Sequence, residues 1–280
     1  TALFEFLLDA YLESGISGVQ PKVMLPDADK LSERATMVHS DLIVKASGED
    51  YPHLAVNEFL CMSAAKKAKI PVPEFWLSDD GGLFVMARFD LLEGQQIGFE
   101  DMAVLMGKTQ KSDEKYQSSY EAVAKAVTIY CSDEHRAGSL QNLFEYVAFS
   151  IMVRNGDAHL KNFGLLYEHP TSGNGPKLAP LYDVVTTSAY DLPGRNGATM
   201  VDRTMALKMN RSKDYPSRKV LLEFGALCGV RAPAQVLERL ADAMQATLQE
   251  YGGLAQASFL QRMKREWDAG RHSVASSHFL

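Results

Sequence analysis

The spacing of apolar positions changes character near residue 90. Before it, apolar residues alternate or gather in short runs. Residues 22–25, 36–46, 74–77 and 83–89 each read as strands, the last two joined by the turn Asp79-Asp80-Gly81-Gly82. Two helices are predicted in the same part. One covers residues 3–12 and is broken by Gly15-Ile16-Ser17-Gly18. The other covers 55–69, carries Phe59, Met62 and Ala65 on one stripe, and stops before Pro71 and Pro73. After Asp90 the helical period takes over, at 100–106, 120–130 and 140–154. A hairpin is predicted from 164–167 to 178–179 around Thr171-Ser172-Gly173-Asn174-Gly175. The C-terminal third is helical again, best at 236–251, where Leu237, Leu240, Met244, Leu248 and Tyr251 share a face behind Pro233. The expected fold is α+β. A smaller β-rich lobe takes residues 1–88 and a larger helical lobe takes 89–280, with a joint near 87–91.

Composition narrows the class. A chain of 280 residues, 46% apolar and 23% charged, is ordinary for a globular protein with a sizeable core. A net charge of −6 argues against a broad nucleic-acid-binding face, and no direct nucleic-acid contact is expected. Cys61, Cys131 and Cys228 form no CxxC pair and are expected as buried free thiols in a reducing compartment. The first residues lack the pattern of a secretory leader, and the longest apolar helical stretch, 143–153, is too short to span a bilayer. The cytoplasm is the expected location. The seven histidines show no zinc-ligand spacing, and Gly107-Lys108-Thr109 lacks the upstream glycine of a P-loop.

The chemistry gathers in Asn155-Gly156-Asp157-Ala158-His159-Leu160-Lys161-Asn162-Phe163. Asp157 stands five positions before Asn162, and Asp183 follows the next apolar segment. An ATP-dependent phosphoryl transferase needs a carboxylate to orient the attacking hydroxyl, and an amide and a second carboxylate to hold Mg²⁺. Asp157, Asn162 and Asp183 provide these in order, and Lys161 could neutralise charge on the transferred phosphate. The Asp-x4-Asn spacing is that of a protein-kinase catalytic loop, with Asn155-Gly156 where His-Arg would stand. The competing reading is a simple turn, which Asn-Gly-Asp favours. Upstream, Gly15 and Gly18 flank Ser17 in a loop that could approach phosphates, or could only turn the chain. Lys45 ends an apolar strand and Glu58 lies on the next helix, so the two could pair to hold the α- and β-phosphates. Otherwise Lys45 is an exposed strand end.

Six segments together resemble the HipA family of bacterial serine/threonine kinase toxins. They are Ser17-Gly18-Val19-Gln20-Pro21-Lys22-Val23, Asn57-Glu58, Pro71-Val72-Pro73, Ala87-Arg88-Phe89-Asp90, 155–163, and Leu178-Ala179-Pro180-Leu181-Tyr182-Asp183. The resemblance implies a two-lobed, protein-kinase-like fold using ATP and Mg²⁺. Asp157 is then the catalytic base, Lys161 a phosphate-facing cation, and Asn162 and Asp183 the Mg²⁺ ligands. The nucleotide would be met by Ser17, Gly18, Val19, Gln20 and Lys22 of the loop, by Lys45 and Glu58, by Met86, Arg88 and Phe89 at the hinge, and by His159, Asn162 and Asp183. Ser17 falls where the family autophosphorylates, with Ser14 less well placed. A phosphoserine there would expel the loop and ATP. The chain begins close to the glycine loop, so it looks most like the short HipT form, whose partners are a HipS-like small protein and a HipB-like DNA-binding antitoxin. A truncated longer protein would look the same. The implied substrate is an aminoacyl-tRNA synthetase, whose phosphorylation stalls translation and underlies persistence. Two alternatives stay open: a small-molecule kinase of the same superfold acting on a sugar or antibiotic, and a catalytically silent antitoxin-binding module.

Overall fold

The computed structural model describes residues 22–25, 41–47, 51–168, 170–193, 199–254 and 257–274. The predicted helix at 3–12, the loop residues Ser14, Gly15, Ser17, Gly18, Val19 and Gln20, and residues 36–40 of the second predicted strand lie outside the described residues.

The first part of the chain builds a four-stranded antiparallel sheet from β1 (Lys22–Leu25), β2 (Leu42–Ala46), β3 (Phe75–Leu77) and β4 (Leu83–Ala87), in the order β1-β2-β4-β3. Lys22 lies opposite Lys45, and Lys45 opposite Phe84. Helix α1 (Leu54–Lys67) packs on this sheet. Its residues Ala55 to Leu60 and Cys61 to Ala65 are buried almost throughout, and its small side chains Ala55, Ser63, Ala64 and Ala65 allow close approach on more than one side. The amphipathic stripe expected for a surface helix is therefore absent. The helix ends where Lys69 takes a left-handed backbone (φ 60°) ahead of Pro71.

Beyond a small hairpin, β5 (Leu91–Leu92) and β6 (Gln95–Gln96), the chain enters β7 (Gly98–Asp101) and the short helix α2 (Met102–Leu105). This corrects the predicted helix at 100–106. Glu100 and Asp101 pair with Leu165 and Gly164 in a sheet, and the Asp101 carboxylate accepts the Val104 N–H at 2.9 Å, so the helix starts only after that cap. Helix α3 (Tyr120–Tyr130) falls where expected. Helix α4 (Asp133–Met152) starts seven residues before its predicted start, behind Ser132, with Asp133 and Glu134 favourably placed at the positive end of its dipole. Its polar first turns hid it from the apolar pattern. Strand β8 (Gly164–Tyr167) joins β7 and β9 (Lys177–Leu178), forming the predicted hairpin with the latter.

After the two-residue strands β10 (Leu192–Pro193) and β11 (Thr199–Met200) comes a hairpin not foreseen, β12 (Thr204–Met209) and β13 (Ser212–Asp214). Its turn places Asn210 and Arg211 at positive φ, a geometry whose usual sequence signal is Asn-Gly. Helices α5 (Arg218–Leu227), α6 (Pro233–Glu250) and α7 (Ala257–Val274) complete the chain. Among the described residues, no helix is long and apolar enough to cross a membrane.

Helix α6 packs along α1, so the sheet-bearing part is clamped by an element from far down the chain. Phe59 meets Tyr251 edge-on at 5.4 Å, and Arg239 joins the Ala68 carbonyl to Glu145 of α4 (2.6 Å). A second tie is polar and fully buried. Asn57 of α1 accepts the Thr186 N–H (2.8 Å) and donates to the Thr186 carbonyl (3.1 Å) and the Tyr190 hydroxyl (3.2 Å). Trp267 of α7 donates to the Thr186 hydroxyl at 2.7 Å. Asn57→Ala would leave both backbone groups of Thr186 without their partner away from water. A loss of about 3 kcal/mol is expected, seen as a lower urea midpoint with an unchanged slope.

All three cysteines are buried free thiols, as expected. Burial pushes the Cys61 and Cys228 thiols up to about 12, which keeps them protonated and unreactive.

Candidate active site

The site lies where β2, α1, the turn after α4 and the segment ending at Asp183 converge. Lys45 is 2% exposed, so it is not a solvated strand end. Its ammonium donates to Glu58 Oε1 and to Asp183 Oδ1, the latter at 2.6 Å. Burial pulls its proton affinity down, but the carboxylates of Asp183 and Glu58 outweigh that and hold it above the ordinary lysine range. The other oxygen of Asp183 receives the Asn162 amide N–H at 3.1 Å. Four residues spread over 138 positions thus form one continuous chain of contacts, Glu58–Lys45–Asp183–Asn162.

The turn from 153 to 163 is built to present Asp157. Arg154 takes a left-handed backbone (φ 59°) directly after α4. The Asn155 side chain accepts the Asp157 N–H at 3.0 Å, closing an Asx turn. Gly156 donates its N–H to the Thr187 hydroxyl at 2.7 Å, and a Cβ there would come within 2.7 Å of the Thr204 carbonyl oxygen. Asn155-Gly156 therefore has a local structural reason for standing where His-Arg would be in a protein kinase. The backbone N–H of His159 is shared between the Asp157 carbonyl (2.8 Å) and Asn162 Oδ1 (3.0 Å), which fixes the Asp157–Asn162 spacing. The stretch is a turn, and the turn holds the Asp157 carboxylate out, with its side chain half exposed.

Not every candidate joins this cluster. Lys161 has an exposed side chain, while its carbonyl accepts the Tyr182 hydroxyl at 2.8 Å. His159 is buried, 4.0 Å from Asp157; burial lowers its proton affinity and Asp157 partly restores it. Met86 is buried in β4, and the Arg88 guanidinium is forked onto Asp90 at 2.9 and 2.6 Å. Phe89 stacks on Tyr182 at 5.0 Å, which ties the joint to the residue before Asp183. The backbone of Lys22 in β1 lies opposite that of Lys45 in β2. Ser17, Gly18, Val19 and Gln20 lie outside the described residues.

Tyr116 was not foreseen. Its hydroxyl donates to Asp157 Oδ1 at 2.8 Å, and burial and the Asp157 charge keep it protonated. It sits 41 positions upstream in a 3-10 turn, Glu114–Tyr116, with no local periodic signal to single it out.

The donor set can be tested against a hard divalent cation. Asp183 retains about a third of its side-chain exposure, and a carboxamide oxygen has two lone pairs, only one of which the His159 N–H requires. Mg²⁺ asks for one or two protein oxygens and keeps several waters, so Asp183 and Asn162 fit it. Among the described residues, no group of three or more His, Cys, Asp or Glu side chains could hold a metal.

Comparison with known proteins gives the family and the fold. The model of the HipA-like C-terminal domain matches residues 14–251. This chain belongs to that HipA-like family. Among curated relatives, "Putative kinase" of Haemophilus influenzae is 32% identical over 62% of this chain and 53% of its own length. "Putative kinase Y4dM" of Sinorhizobium fredii is 27% identical over 88% of this chain and 60% of its own. The HipA-like chain thus spans little more than half the length of these relatives. Among solved structures, HipA from the Shewanella oneidensis toxin–antitoxin complex with HipB and operator DNA superposes with a TM-score of 0.69. It is 21% identical and covers 92% of this chain and 64% of that one. The Helicobacter pylori proinflammatory kinase CtkA gives a TM-score of 0.60 at 12% identity, covering 94% and 91%. The fold is the α+β, kinase-like fold of these proteins, with a small β-rich and a larger helical lobe.

Proposed function

We propose that this HipA-like chain is an ATP- and Mg²⁺-dependent protein serine/threonine kinase, its two lobes dividing near residues 88 and 89. The observation that carries the reading is the contact chain Glu58–Lys45–Asp183–Asn162 beside an accessible Asp157. Lys45, held charged and oriented by Glu58, meets the α- and β-phosphates. Asp183 and Asn162 hold Mg²⁺, which neutralises charge on the phosphates. Asp157 takes the proton of the attacking hydroxyl, and Lys161, whose side chain is free to swing, faces the transferred phosphoryl group. Met86, Arg88 and Phe89 border the adenine, and Ser17 to Gln20 with Lys22 cover the phosphates. Autophosphorylation of Ser17 would place negative charge where ATP's own must sit.

A biological role is proposed by analogy with a similar structure. The similar HipA is part of a toxin–antitoxin system with HipB and operator DNA. The same role is proposed for this chain, as a HipT-like toxin with a HipB-like antitoxin and a HipS-like protein as partners and an aminoacyl-tRNA synthetase as target.

The test is transfer of the γ-phosphoryl group from Mg-ATP to serine, located by mass spectrometry in the chain and in a synthetase panel. Calorimetry that finds no Mg-ATP binding would leave a silent binding module instead. Transfer confined to small molecules would leave the sugar or antibiotic kinase.

Tyr116 supplies a separate prediction. Its hydroxyl occupies Oδ1, one of the two oxygens of the carboxylate proposed to take the acceptor's proton. Tyr116→Phe is expected to raise kcat/KM for the acceptor by up to about tenfold, the worth of one displaced hydrogen bond. A fall in kcat at constant KM would show that the hydroxyl positions the carboxylate.

A further inference from the structure

The phenol of Tyr116 stands where the proposed reaction needs an acceptor hydroxyl. A general base takes a proton across hydrogen-bond distance, about 2.6–3.2 Å. The Tyr116 hydroxyl donates to Asp157 Oδ1 at 2.8 Å. Among the described residues, it is the one hydroxyl bonded to that carboxylate. Its ring meets the His159 ring edge-on at 5.2 Å, and the His159 N–H is bound by Asn162 Oδ1. The phenol therefore leans on the turn that runs from the proposed base to a proposed Mg²⁺ ligand.

The neighbouring charges suit a phosphate ester at this ring. The Lys115 ammonium lies 5.0 Å from the ring centre and that of Lys213, in β13, 5.9 Å from it. Among the described residues, neither lysine makes an ion pair. The carboxylates on their own elements have other partners. Asp113 accepts from the Gln117 amide, Glu114 from the Gln110 N–H, and Asp214 from the Ser212 hydroxyl. A cation over a neutral, partly exposed ring gains little. A phosphate ester carries close to two negative charges, and two ammonium groups on flexible stems can turn to it.

The segment can yield as the reaction requires. Between α2 and α3 its regular structure is the three-residue turn Glu114–Tyr116, so the side chain can withdraw without unpacking a helix. Nor does a tyrosine acceptor here call for a tyrosine-specific enzyme. A hydroxyl already held at the base needs no recognition of a separate substrate.

We infer that Tyr116 is a site of intramolecular autophosphorylation. The phenol oxygen attacks the γ-phosphorus of ATP, and the bond from that phosphorus to the β,γ-bridging oxygen breaks. ADP leaves, and the phenolic proton passes to Asp157. The phosphotyrosine has no proton to return to the carboxylate. Like charge drives it from Asp157 towards Lys115 and Lys213, which leaves the base open. The inference rests on the kinase reading and adds to it an acceptor within the chain.

The experiment starts from the full chain, stripped of phosphate by a phosphatase, repurified, incubated with Mg-ATP and mapped by mass spectrometry. One phosphoryl group on Tyr116 is expected, at a first-order rate that dilution of the chain does not change. Asp157→Asn should slow it by about 10²–10⁴-fold. Isotope-labelled Asp157→Asn, which keeps Tyr116, is then mixed with the unaltered chain. Its Tyr116 should stay unmodified, and modification there as fast as in the unaltered chain would overturn the intramolecular step. Phosphoserine in the chain or in the synthetase panel, with Tyr116 unmodified, overturns the inference and leaves the kinase reading standing. No transfer to any residue or small molecule overturns both.

Discussion

Lys45→Met is expected to cost about 3–5 kcal/mol of folding stability, read from urea denaturation, and to abolish phosphoryl transfer. The size follows from burial. Lys45 and Glu58 are both almost completely removed from water, and the ammonium is what compensates the Glu58 charge there. Desolvating two ions is expensive, and their attraction offsets that expense only while both are present. Removing the cation alone takes from the buried Glu58 carboxylate the ammonium that balances its charge. Asp183, about a third exposed, is less affected because water can take over its solvation.

The double variant Lys45→Met/Glu58→Leu separates structure from function. With both charges replaced by apolar groups of similar size, most of the lost stability should return, because a well-packed apolar pair often matches a buried ion pair. Transfer should stay absent. A double variant that is active would show that the pair serves folding alone. One that remains as unstable as the single variant would place the energetic role of Lys45 in its bond to Asp183.

What could be read from the chain was local. Strands β2, β3 and β4, helix α3 and the β8–β9 hairpin follow from residue spacing, because one buried face and one turn decide each of them; helix α1 follows from its long apolar run and the prolines that stop it, although it is buried on more than one face. The Asp157–Asn162 spacing was legible for the same reason: a single turn, fixed by the His159 N–H, sets it. The partners of that turn were not. Tyr116, Thr187 and Thr204 approach it from distant parts of the chain, and none belongs to a run with a period. Nor does anything local in α1 announce that Asn57 would bridge to Thr186, or that α6 would cover the helix. Buried polar ties of this kind are chosen by the whole packing arrangement, since each buried backbone group must find a partner wherever the fold provides one. Glu58 and Lys45 stood between the two cases. Sequence order suggested the pair, and only the depth of burial shows how strongly each depends on the other.

Asp157→Asn tests the chemistry with the fold left intact. A fall of about 10²–10⁴-fold in kcat is expected, the usual worth of a positioned proton acceptor. Stability should change by less than about 0.5 kcal/mol, because the side chain is half exposed and the turn is held by Asn155, Gly156 and His159 rather than by the carboxylate. The amide oxygen can still accept from Tyr116, so the geometry of the pair survives while the capacity to take a proton does not. Mg-ATP affinity should be unchanged, since the proposed cation ligands are Asp183 and Asn162. An affinity loss matching the loss in kcat would move Asp157 among the groups that hold the cation. Transfer to serine at the unaltered rate would remove it from the reaction and leave the presented carboxylate without a chemical role.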